Sequence, residues 1–165
     1  MIKHVILQRM TATIPGEFCV FLIGMRINRP LKFHKWLPVA RSLPRMMREL
    51  EAHEELGCLG SHAWFGRTTI LLQYWRSAAC LKDYATNKDR EHLPAWAAFT
   101  NAVGNSGDVG IWHETYTVKP GGHETIYHNM PPFGLGRAGS LIPATGHYQS
   151  ARQRLTSGSK LDRPR

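Results

Sequence analysis

The sequence predicts a ferredoxin-like α+β domain, βαββαβ, with one antiparallel sheet and its helices packed on one face. Three observations carry this. Strand and helix patterns alternate in that order, the strands are apolar on both sides, and 165 residues suit one domain rather than two. The bare face of such a sheet is polar in a monomer. Apolar residues on it call for a second subunit, so the expected form is a dimer joined sheet face to sheet face.

Residues 1–17 carry no strong pattern and are assigned to an N-terminal arm. The first element is Phe18–Ile27, FCVFLIGMRI. Phe21, Ile23, Met25 and Ile27 point one way; Val20, Leu22 and Gly24 point the other. In Lys32–Leu56 a helical stripe runs Trp36, Ala40, Leu43, Met47, Leu50. Pro38 and Pro44 sit poorly inside one helix, which predicts a short turn near Trp36. A main helix then follows, capped by Ser42, with Pro44 in its first turn. Gly57 supplies the stop signal.

Leu59–Phe65 and Thr68–Trp75 read as two strands joined by Gly66-Arg67. Ser77 caps a helix over Ser77–Tyr84, and Asn87-Lys88-Asp89 breaks it. A second helical segment spans Leu93–Val103, with Leu93, Trp96, Phe99 and Val103 as its stripe. Val109–Val118, VGIWHETYTV, closes the domain at residue 118. Residues 119–146 are Pro- and Gly-rich yet hold Tyr127, Met130, Phe133 and Leu135, so they predict a C-terminal arm packed on the domain or its partner. Residues 147–165 predict a disordered basic tail.

The net charge of +9 raises nucleic acid as a partner. Part of the excess lies in the tail, in Arg152, Arg154, Lys160, Arg163 and Arg165 against Asp162. No recognition helix, aromatic RNA-binding strand or zinc finger accompanies it, so nucleic acid is not assigned as a partner. No apolar run reaches the roughly 20 residues of a membrane helix, and no leader pattern opens the chain. Three cysteines with no C-x-x-C spacing argue against a disulfide framework, and they fit packing roles in a reducing, cytoplasmic setting.

Two histidines are candidates for chemistry. His92 lies in EHLPAW, just ahead of a helix whose positive end disfavours an imidazolium. A neutral imidazole there suits a general base, an axial haem ligand or a local hydrogen bond. His113 stands in the apolar row Val109, Ile111, Thr115, as a base or as a satisfied core histidine. Trp75, Trp96 and Phe99 are candidates to shape a cavity for an apolar ligand, with core packing as the plain alternative. The histidine spacings offer no zinc or iron site, and there is no Walker loop, dinucleotide fingerprint or nucleophile elbow.

Four blocks add a family resemblance: FLIGMRINRP (Phe21–Pro30), HLPAWAAF (His92–Phe99), GDVGIWHETY (Gly107–Tyr116) and YHNMPPFGLGRAG (Tyr127–Gly139). Together they resemble a bacterial and fungal family grouped with the fumagillin-pathway polyketide monooxygenase, in the dimeric α+β-barrel superfamily. His128 departs from the apolar residue that the last block leads one to expect. The resemblance implies a homodimer with a pocket between helices and sheet in each subunit. It also implies monooxygenase-like chemistry on a small apolar, aromatic or polyketide-like substrate, with no cofactor and with His92 or His113 as base. Superfamily relatives with haem bind iron through a helix-borne histidine. The alternatives are therefore a haem protein of the aldoxime dehydratase or haem-oxygenase type, liganded by His92 or His113, and a non-enzymatic ligand-binding dimer.

Overall fold

A computed structural model describes residues 4–90 and 92–160, without the side chains of 92, 94, 95, 98, 102 and 157–160. Strand β1 (Met10–Thr13) precedes β2 (Phe18–Ile27), helix α1 (Phe33–Ala52), β3 (Cys58–Trp64) and β4 (Ile70–Trp75). Helices α2 (Ala78–Thr86) and α3 (His92–Val103) and strand β5 (Val109–Val118) follow. The chain ends in α4 (Leu135–Ala138), β6 (Ser140–Pro143) and α5 (Ala151–Lys160). The main sheet is antiparallel throughout, in the order β3-β4-β2-β5. With α1 after β2 and α2–α3 after β4, this is the ferredoxin-like arrangement the sequence predicts.

Register fixes the two faces. Cys19, Phe21, Ile23, Met25 and Ile27 of β2 stand beside Trp75, Gln73 and Leu71 of β4, and beside His113, Ile111 and Val109 of β5. This face meets the helices in two clusters. Cys19, Phe21 and Trp75 pack with Leu50, Leu81 and Tyr84 under α1 and α2. Met25, Val109 and Ile111 pack with Trp36, Val39, Phe99 and Val103 under α1 and α3.

The opposite face is partly covered by the chain itself. Phe18, Val20, Tyr74 and Val118 pack against Ala12, Ile14, Tyr127, Leu135 and Leu141 from both terminal segments. Strands β1 and β6 pair there as a small second sheet, and Thr11 Oγ1 donates to the Thr125 carbonyl at 2.8 Å. Neither short strand has a sequence pattern of its own. They exist because each satisfies the other's backbone.

Two expectations are corrected. First, α1 is one helix with Pro38 and Pro44 inside it, and Ser42 is no cap, since its hydroxyl donates to the Val39 carbonyl at 2.7 Å. Each proline removes one backbone bond, but the apolar stripe packed over the sheet, half-buried except for the buried Leu50, offsets the loss. Second, the tail is not disordered as far as residue 160. Arg154 is buried, ion-paired with Glu124, and donates to the carbonyls of Tyr148 and Gln149 at 2.9 and 3.0 Å. A charge so satisfied anchors α5 to the C-terminal arm. Ser77, by contrast, caps α2 as expected, its side chain accepting from Cys80 N at 3.1 Å.

Candidate active-site cavity

On the helical face, a cavity of about 340 Å³ lies between α1, α3 and the sheet. Its floor is Ile23, Met25 and Ile27 of β2 with Ile111 of β5, and its roof is Trp36, Val39, Ala40, Leu43 and Met46 of α1. Trp96 and Phe99 of α3 form one wall, their rings 5.7 Å apart. Phe65, Gly66 and Thr69, from the β3–β4 connection, form the rim. The cavity opens on that side, where Phe65 is 72% exposed and Trp96 47%.

The rim exists because the hairpin turn is longer than the two residues the sequence predicts. Strand β3 ends at Trp64 and β4 begins at Ile70. Thr69 instead clamps β2: its N–H donates to the Met25 carbonyl at 2.8 Å, and its hydroxyl accepts from Met25 N at 2.9 Å. A side chain at position 24 would run into this clamp, since a Cβ there would lie 1.9 Å from the Thr69 carbonyl oxygen. Only glycine permits that approach.

The described lining is almost wholly apolar. The Ser42 hydroxyl is spent on Val39, the Thr69 hydroxyl on Met25, and Trp36 Nε1 donates to the Pro30 carbonyl at 2.9 Å. No described His, Cys, Tyr, Asp, Glu, Lys or Arg lines it. An apolar site results, suited to holding a hydrophobic molecule.

The sequence-predicted site residues divide. Trp96 and Phe99 meet in the wall. Trp75 does not join them: it is fully buried in the packed cluster under α2, its indole N–H donating to Gln73 Oε1 at 3.0 Å. It points to the helical face, as Met25 does, but from the far end of the sheet. His113 also points to that face, opposite Ile23, with its ring 5.8 Å from Phe21. It stands on an edge strand, is exposed, and lies two residues beyond the cavity's Ile111. His92 is the first residue of α3, and its side chain lies outside the described residues. Sequence reasoning missed Val39, Met46, Phe65 and Thr69. The first two follow from letting the α1 stripe run through its prolines; the others depend on the turn geometry and leave no pattern.

The described lining by itself holds no haem ligand. It offers no imidazole or thiolate as axial ligand among the described side chains, which do not include that of His92. No group of three or more His, Cys, Asp or Glu is placed to hold a metal ion among the described residues.

Residues 18–135 match the monooxygenase af470-like family. This chain belongs to that family. Monooxygenase af470 of Aspergillus fumigatus is 30% identical over 154 residues, covering 81% of this chain and 54% of the relative. The chain thus spans about half the length of that relative. Solved structures give weaker likenesses. Rv0793 from Mycobacterium tuberculosis has 15% identity and a TM-score of 0.45 over 59% of this chain and 92% of its own. An antibiotic biosynthesis monooxygenase candidate from Caulobacter crescentus CB15 has 17% identity and a TM-score of 0.42, over 61% and 89%. The matched span covers the whole four-stranded sheet, its helices and the start of α4, so the cavity lies within the part of the chain that defines the family. No described helix is long and apolar enough to cross a membrane.

Proposed function

We propose that this member of the monooxygenase af470-like family oxygenates a small aromatic or polyketide-like substrate in the cavity between α1, α3 and the sheet, without a cofactor. The apolar cavity carries this reading. It sequesters a substrate that must supply the electrons itself, and it excludes water that would quench a carbanion. For an activated CH₂ the reaction balances with no other reductant. A base removes one proton to give an enolate or phenolate. Dioxygen takes four electrons from that carbon, one oxygen atom forms the new C=O, and the other leaves as water.

The base is proposed among His92, at the start of the cavity's α3 wall, and His113, two residues beyond the cavity's Ile111 on β5. A homodimer formed through the exposed part of the opposite sheet face, where Trp64 and Tyr116 are open to solvent, completes the proposal.

The test is oxygen uptake by colourless purified protein with an electron-rich phenol or activated methylene. One atom of isotope-labelled dioxygen should appear in the product, and His92→Ala or His113→Ala should abolish turnover. Full turnover in both variants would remove these residues from the mechanism.

A second reading, a non-enzymatic ligand-binding dimer, is favoured by one observation, the lack of any ionisable group in the described lining. Recovery of a tightly bound ligand unchanged after long exposure to oxygen would support it over the first.

A further inference from the structure

The cavity is apolar, but its rim is not. Gly66 lines the opening, and the next residue, Arg67, folds its guanidinium back along β2. Arg67 Nε donates to the Ile27 carbonyl at 3.1 Å and Nη2 to the Asn28 carbonyl at 3.3 Å. Its own carbonyl accepts from Ile27 N at 2.8 Å, so its backbone is fixed as well. Ile27 is itself part of the cavity floor.

The neighbouring cations are engaged elsewhere. Arg29 and Lys32 share the buried Asp108 at 3.2 and 3.0 Å. Arg26 points to the other face of the sheet and donates to Thr68 Oγ1 at 2.8 Å. Arg67 has no carboxylate within ion-pair distance among the described residues. Two bonds to neutral carbonyls position its charge without neutralising it, and the guanidinium fork has donors left over.

We infer that the cavity takes an amphipathic acid: a planar apolar body inside, and a carboxylate or an equally placed oxyanion at the rim on Arg67. This rests on the proposed use of the cavity and adds the substrate's polarity and orientation. Two carbonyl-held donors fix the guanidinium before the ligand arrives, so little side-chain freedom is lost on binding. The site is exposed, so the gain is modest and salt-sensitive.

The probe pair is 2-naphthoate and its methyl ester, followed by quenching of tryptophan fluorescence in the full chain. Wild type is expected to bind the acid about fivefold more tightly than the ester at low salt. Arg67→Gln keeps an amide donor for the carbonyls but loses the charge; it should equalise the two ligands and leave ester affinity unchanged. Arg67→Lys should restore part of the preference. An acid preference that persists in Arg67→Gln, or an ester preferred by wild type, would overturn the inference. The cavity reading fails separately: if Ala40→Phe, which fills the cavity from α1, leaves ester binding intact, the ligand lies elsewhere and both fall.

Discussion

The two ends of the helical face are built from the same materials and finished differently. Under α2, Cys19, Phe21, Leu50, Trp75, Leu81 and Tyr84 close on one another, and the residual void there is about 10 Å³. Under α3, Met25, Ile27, Trp36, Phe99 and Ile111 are as apolar, yet they surround about 340 Å³. Protein interiors pack to crystal-like density when nothing prevents it. A hollow kept at one end of a sheet whose other end is solid is the place where the proposed substrate would sit. The floor of that end is also tied by charge: Asp108, buried ahead of β5, holds Lys32 and Arg29 from the turn into α1.

Substitutions should separate the two ends. Trp75→Ala, at the solid end, should cost about 3–5 kcal/mol in urea unfolding, because a large fully buried ring leaves a cavity that cannot collapse. Trp96→Ala, at the hollow end, should cost less, about 1–3 kcal/mol, since nearly half of that residue is already wet. It should instead weaken binding of an apolar ligand roughly tenfold, about 1.4 kcal/mol of lost contact. Equal destabilisation by both would erase the distinction.

The smallest effect is electrostatic. The hydrogen bond from Lys32, with the charges of Lys32 and Arg29, holds the Asp108 carboxyl below the usual carboxylate range. A depressed pKa in the fold means stability that is present above the ordinary value near about 4 and is lost as pH falls through the lower folded value. The urea midpoint of wild type should therefore fall more steeply than that of Asp108→Asn as acid is added below that point. Parallel slopes would show that the contact adds nothing.

The sheet was legible because its strands obey a simple alternation. Phe18–Ile27 and Val109–Val118 read directly from the sequence, as did the face to which His113 belongs. Alternation gives the face of a strand residue but not its place along the sheet relative to the helices. That is why Trp75 reads as cavity-lining when it is core. The prolines of α1 weigh against one helix by local cost alone, whereas packing of its apolar stripe over the sheet, with Leu50 buried, outweighs them. The α5 anchor depends on Arg154 meeting Glu124 thirty residues earlier, and no local pattern announces such a pair. The cavity's wall was visible in the Trp96–Phe99 spacing; its rim depends on Thr69 leaving the strand to clamp Met25.

The most direct measurement is calorimetric titration of a planar aromatic ligand, the methyl ester of 2-naphthoic acid, into wild type and Ala40→Phe, with urea unfolding of both. The account predicts one site per chain in wild type, at least a tenfold loss of affinity in the variant, and an unfolding midpoint that is unchanged or raised by the filled space. Undiminished binding by an equally stable variant would contradict it, because the ligand would then have no need of the space beneath α1.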